Sequence, residues 1–358
     1  VAQIPYQPQN VTAEQADGNI LISWQGSLGA TSYQIQRSTD GVNFSNYATV
    51  ATIAYFVDSL PGIGIMYYYQ VAGVNAAGTS PYSTIVQMVA APPSEMSLYE
   101  LRMRSYQTAD RLGSDFVTIP EANAFARLAL YELYDLLIGS YEDYFSSNQV
   151  QIQTNGSVQN YALPDGVTNY LGGQYTGTTG TPAPALYKLT GVDLGVNPSL
   201  NQPARVTINR YDFVDRNQYV YPNSNSTIYG VFNMRYRMMG TAGNNQTINF
   251  IPTPSGGQII YIWYASKLAA LLKDTDLTTI GFSGWLRYVI VRTAKYMLDK
   301  EEGSDTSKLD AELLFLKTRI EQMAQNRDIG QADTISETRK DGIWGGSNGG
   351  NNGSNGGW

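Results

Sequence analysis

The chain contains no cysteine and no histidine. Without cysteine there are no disulfides, thiol nucleophiles or thiolate metal sites, and the redox compartment stays open. Without histidine the commonest general base and transition-metal ligand are gone, along with every Ser-His or Cys-His arrangement. Charge is also scarce, at 15% of residues against 42% hydrophobic, and 27 Tyr together with Asn, Gln, Ser and Thr supply most polar surface. Such a composition is common in proteins that bury much surface against neighbours. The net charge is -7, so no general basic surface draws nucleic acid. No run approaches the roughly 18 apolar residues of a membrane span, and the opening VAQIPYQPQN lacks the basic-then-apolar pattern of a secretory leader. No membrane partner is expected, nor export by that route.

At 358 residues the chain has room for two or three domains. Residues 1–91 alternate in short runs such as 20–24, 32–37 and 67–74, broken by Gly, Asn and Asp turn signals, the pattern of a small antiparallel sandwich. Trp24 in an early strand, Tyr33-Gln-Ile-Gln-Arg37, Leu60-Pro-Gly62, Tyr67-Tyr-Tyr-Gln-Val71 and Asn75-Ala-Ala-Gly-Thr-Ser80 follow in order. That series resembles a fibronectin type III domain, which implies Trp24 as the core indole and Tyr67 as the corner tyrosine. Arg37 is the only base against Glu14, Asp17, Asp40 and Asp58, which fits a display or spacer role and argues against nucleic acid.

A stiff linker, Ala90-Ala-Pro-Pro-Ser94, precedes a second unit at residues 92–330. Capping signals at Ser97-Leu-Tyr-Glu100 and Thr118-Ile-Pro-Glu121 predict helices over about 97–112 and 119–145. Leu286, Val289, Ile290, Thr293, Ala294 and Met297 predict a third over about 284–302, with Ser283 as N-cap and Gly303 as stop. Leu309, Leu313, Leu316, Ile320 and Met323 predict a fourth over about 306–326, antiparallel to the third. These stripes read as core packing, with a subunit seam as the alternative, and the helices are expected to form a four-helix body. Between the helix pairs, residues 147–281 are rich in Gly, Thr, Asn and Tyr. Strands are expected at 205–213, 228–238, 247–251 and 259–264, as an antiparallel sheet or sandwich. From residue 331 to Trp358 the chain runs out as a Gly/Asn-rich extended tail.

Several segments of the second unit form an ordered series: Asp115-Phe-Val-Thr-Ile-Pro-Glu121, Ala185-Leu-Tyr-Lys-Leu-Thr-Gly-Val-Asp193, Tyr236-Arg-Met-Met-Gly240, Ile248-Asn-Phe-Ile-Pro252 and Gly284-Trp-Leu-Arg-Tyr-Val289. Over residues 96–340 the series resembles the head-to-tail adaptor (connector) proteins of tailed bacteriophages. The resemblance implies a structural protein at the virion neck, made in the host cytoplasm, whose copies form a ring, a dodecamer matching the portal. Its implied partners are the portal protein and a tail or nozzle protein, with possible capsid contact through residues 1–91. Genomic DNA would pass through the lumen without specific binding, along an acidic wall that repels phosphate. Extended, the 28 residues of the tail reach about 90 Å, far enough to climb a portal. Ile335 and Arg339 lie in a stretch with the alternation of an added strand, and Ile343, Trp344 and Trp358 are candidate pocket-filling contacts.

An enzyme would have to use carboxylates, hydroxyls, Lys or Tyr. Asp274 with Asp276, Glu301 and Glu302 with Asp305, and Asp212 with Asp215 are the candidate acid groupings. The first has the makings of a cation or glycosidic-cleavage site, but no grouping has a fingerprint of fixed spacing, and loop or helix-end charges account for them. No enzyme activity, catalytic residue, metal or cofactor is therefore expected. The other readings open are a different neck or tail ring protein, or a carbohydrate-binding or adhesion protein with a fibronectin-like module.

Overall fold

The computed structural model describes residues 3–59, 61–113, 116–140, 148–167, 170–171, 174–175, 182–196, 204–218, 234–240, 246–280, 285–300 and 305–325. Eight strands open the chain: β1 (Gln9–Ala16), β2 (Asn19–Gln25), β3 (Ser32–Ser38), β4 (Ser45–Val50), β5 (Tyr55–Asp58), β6 (Met66–Asn75), β7 (Gly78–Thr79) and β8 (Val86–Val89). Asp17 and Gly18 both take positive φ, 47° and 82°, which is the two-residue turn that matches strand twist and joins β1 to β2. Sheet β1-β2-β5 faces sheet β4-β3-β6, and the last strand position is split, β7 pairing the end of β6 and β8 its start. Between them the hydroxyls of Ser80 and Ser83 accept from the amides of Gly73 and Val71, at 2.9 and 3.1 Å, in place of ladder carbonyls. Inward alternation buries Ile20, Ile22, Trp24, Ile35, Tyr69 and Val71 between the sheets. This strand order is that of a fibronectin type III-like sandwich.

Among the described residues four helices follow in two pairs: α1 (Leu98–Thr108) and α2 (Ile119–Ser140), then α3 (Leu286–Asp299) and α4 (Ser307–Gln325). They share one apolar core that includes Leu101, Leu130, Leu133, Val289, Leu316 and Ile320. The Ser97 hydroxyl accepts from the Glu100 amide at 3.1 Å, and the next two orphan amides of α1 go elsewhere. Leu98 and Tyr99 donate to the carbonyls of Asp276 and Asp274 at 3.0 and 3.1 Å, so a distant loop satisfies the helix N-terminus. At Thr118 the other half of a capping box forms, the Thr118 amide donating to Glu121 Oε2 at 3.0 Å.

The helices differ from expectation at several points, and the expected end of α2 at 145 lies outside the described residues. α1 stops at Thr108 instead of 112 because Asp110 enters the left-handed region at φ 53°, a conformation Asp tolerates. α3 begins at Leu286, and Trp285 stands at its N-cap position without a side-chain cap bond; Ser283 and Gly303 lie outside the described residues. In α4 the seam ends at Ile320, and Met323, expected on it, is 50% exposed.

The described residues of the insertion form ten strands: β9 (Asn148–Gln153), β10 (Asn160–Ala162), β11 (Tyr170–Leu171), β12 (Gln174–Tyr175), β13 (Leu186–Val196), β14 (Ala204–Thr207), β15 (Asn209–Arg210), β16 (Arg235–Gly240), β17 (Gln246–Ile251) and β18 (Ile259–Ser266). Sheets β14-β13-β18-β9 and β10-β17-β16-β15 close over a common core of Ile152, Leu194, Ile248, Phe250, Ile260 and Ile262. The expected single strand at 205–213 is corrected: Ile208 turns into the core between β14 and β15, which belong to different sheets, and Phe213 opens a 3-10 turn, Phe213–Gln218. The β15–β16 pair is parallel, so the unit is not wholly antiparallel. Of the expected strand at 228–238, β16 covers the end, and 228–233 lie outside the described residues.

Candidate functional site

The two named core positions of the sandwich are both 6% exposed. Trp24 meets Tyr33 edge-on, with ring centroids 5.2 Å apart. The Tyr67 hydroxyl accepts from the Gly62 amide at 2.9 Å, the back-bond of a tyrosine corner. The guanidinium of Arg37 lies over the rings of Tyr47 and Tyr67, at 3.7 and 4.7 Å. It donates to Asp58 Oδ2 at 2.8 Å, and the same carboxylate accepts from Tyr69 and Tyr47 at 2.7 and 2.8 Å. Burial pushes the Asp58 carboxyl up, but the three donors outweigh it and hold the group below the usual carboxylate range. This network holds the sandwich together. Sequence alone gave no sign of it beyond an acid, an arginine and tyrosines at strand positions.

The acid groupings are engaged in structure. Asp274 takes a two-pronged bond from Arg102, at 2.6 and 2.8 Å, and Asp276 accepts the amides of Leu272 and Lys273, at 2.7 and 2.8 Å. Asp305 accepts the Ser307 amide at the start of α4, and Asp215 accepts from Gln218 in its own turn. Glu301 and Glu302 lie outside the described residues. Among the described residues no three Asp or Glu converge as a metal would require. The candidate portal contacts Ile335, Arg339, Ile343, Trp344 and Trp358 also lie outside the described residues.

The helices also carry exposed apolar side chains, as the sandwich does at Leu28, Val42, Ile53 and Ile63. α2 turns Leu128 and Tyr131 outward, one turn apart, and α4 turns out Leu314 and Phe315, 68% and 65% exposed. Their opposite faces are filled by the shared core. Glu132, Asp135, Leu136, Tyr288 and Glu321 line an open cleft of 590 Å³ between α2 and α4. The run Leu313-Leu-Phe-Leu316 held this signal, since two of its four apolar residues fall off the core stripe.

No protein-family model matches the chain. A stretch of 82 residues, 23% of the chain, is 33% identical to part of an amylopullulanase of Thermoanaerobacterium saccharolyticum, and the match spans 6% of that protein's length. Among solved structures, a Fn3-like protein from Clostridium thermocellum is 24% identical over 24% of this chain and 90% of its own, with a TM-score of 0.21. FN3tt in a mutant form is 21% identical over 24% of this chain and 97% of its own, also at 0.21. The fibronectin type III-like character of the first unit rests on its strand order and on the Tyr67–Gly62 bond.

Proposed function

We propose that this chain is a structural virion protein, a head-to-tail connector adaptor whose copies form a ring between portal and tail. The observation that carries the reading is the pair of outward apolar faces on α2 and α4, set on helices whose inner faces are already filled. Two different patches on one subunit make a heterologous contact, and such contacts close into rings when the rotation permits. The ordered segment series across residues 96–340 supports the same reading. In it the ring is a dodecamer at the virion neck, residues 92–330 make the ring, residues 1–91 project as a display module toward the capsid, and residues 331–358 engage the portal. The protein contributes shape and adhesion and no catalysis.

Burying Leu314 and Phe315 stabilises each lateral contact by about 1.5 to 3 kcal/mol per side chain before ordering costs, multiplied around a ring. Mass photometry of the full chain, alone and with portal rings, tests this. Wild type is expected as a ring in at least the second condition, and L314E/F315E as a monomer in both. A wild-type chain that stays monomeric with the portal refutes the reading. A second reading, a glycan-binding adhesion protein, is favoured by the amylopullulanase stretch; it predicts monomers retained on an α-glucan column.

A further inference from the structure

The net charge of -7 conceals a segregation. Residues 148–281 carry eight bases against six acids, whereas all other residues carry 15 bases against 24 acids. The inserted sandwich is thus a basic unit in an acidic chain. Three of those eight bases gather on one face. Tyr236 and Met238 of β16 pack into the core with Ile248 and Phe250 of β17, so the alternate residues Arg235 and Arg237 lie on the outer face. The 3-10 turn brings Phe213, 48% exposed, to the same place, with the guanidinium carbons of Arg216 and Arg237 at 4.3 and 5.0 Å from its ring centroid. Arg210 on β15 pairs with the core-facing Tyr236 and so lies off this face. Asp212 and Asp215 are the acids of this corner, two against the three arginines Arg216, Arg235 and Arg237.

Stacking on a ring occupies the flat face of a guanidinium and leaves its in-plane donors for an anion. Arg216 uses one of them on the Phe213 carbonyl, at 2.9 Å. Residues 219–233 and 241–245, which adjoin these elements in sequence, contain no charged residue.

We propose that this face contacts the phosphate backbone of duplex DNA without reading sequence. The preference for phosphate over a carboxylated polysaccharide rests on the connector reading, in which a genome passes the subunit. In place of a uniformly repelling wall, the ring then presents a weakly adhesive band of arginines on an otherwise acidic body, a surface along which a duplex slides.

The test is fluorescence anisotropy of the full chain with a labelled random duplex across a salt series. R216Q/R237Q is compared with R205Q/K267Q, which removes equal charge from the same unit away from this face. Wild type is expected to bind with a steep salt dependence, and R216Q/R237Q to weaken on the order of tenfold or more at about 50 mM salt, its log–log slope flattening by about 2. Equal losses in the two variants, no binding by wild type, or equal competition by polygalacturonate and duplex would each overturn the proposal. If R216Q/R237Q lowers the thermal midpoint, R216Q on the exposed turn is measured in its place. Mass photometry of the same proteins with portal rings added separates the two ideas: intact rings without DNA binding sink this proposal alone, and DNA binding by a chain that forms no ring even with the portal sinks the connector reading.

Discussion

Replacing Asp58 with alanine should cost the sandwich about 3 kcal/mol. The side chain is fully buried, at 0% exposure, while Arg37 keeps 24% of its side chain in water. Removing the carboxylate strands the Tyr69 hydroxyl, itself on a fully buried residue, at about 1 to 3 kcal/mol for the lost partner. Breaking a buried ion pair from one side costs about 3 to 5 kcal/mol, and the exposure of Arg37 argues for the low end. Hydrogen exchange of the β6 amides in the full chain reads the effect directly. A loss of about 3 kcal/mol corresponds to a fall in protection of roughly 100-fold or more, and D58N, which keeps an acceptor, should lose less. A fall of under about fivefold in D58A, with β6 exchanging through global unfolding of the sandwich, would refute the claim that this carboxylate organises the domain. The pH dependence supplies a second check. Because the folded carboxyl is held below its usual range, its contribution is complete above the unfolded value and is lost as pH falls through the folded one. The gap between wild type and D58N should therefore close on acidification.

Three further predictions concern the helices. Glu100 is 2% exposed, with Oε1 2.6 Å from Arg104 and no donor to Oε2 among the described residues; burial raises its carboxyl above the usual range. Its neutral form is favoured in the fold, so E100Q should gain on wild type in thermal midpoint at pH 7, and the advantage should vanish toward pH 4. Lys300 clamps Glu121 through both carboxylate oxygens, each at 2.9 Å, and pulls that group down to about 2. E121Q should speed hydrogen exchange in the first turn of α2 at pH 7, and the difference from wild type should close as pH falls through about 2, where Glu121 takes up its proton. D274A removes the two-pronged partner of Arg102, whose side chain is 5% exposed. A loss of about 3 kcal/mol in urea unfolding is expected, at the low end because Asp274 is 39% exposed, and R102M/D274A should recover part of it.

How much of this was legible in the sequence depended on whether local pattern and tertiary role agreed. The sandwich strands alternate with period two, and the turn at Asp17-Gly18 has the chemistry its φ angles demand, so both could be read. α3 and α4 keep their buried stripes at helical spacing and were equally plain. β13 was not. Its inward residues Leu186, Leu189, Val192 and Leu194 step by three, three and two, because register shifts interrupt its pairing with β18. A bulge adds a residue and breaks the alternation that marks a strand. β14 and β15 failed in the opposite way: the alternation runs on smoothly while Ile208 carries the chain from one sheet to the other.

The candidate surfaces follow the same logic. Leu314 and Phe315 were visible as apolar residues beside the core stripe, but whether such residues meet solvent or a second layer is decided by packing across α2, α3 and α4, which no local window contains. The arginine corner was hidden by averaging. Whole-chain charge measures solubility and long-range steering, whereas a phosphate meets only the groups within a Debye length of about 10 Å. Arg216 and Arg237 are 21 positions apart, and only the pairing of β15 with β16 brings both to the ring of Phe213. A chain can therefore be acidic in total and still offer a polyanion a place to rest, and the decisive quantity is which bases the sheet register gathers on one face.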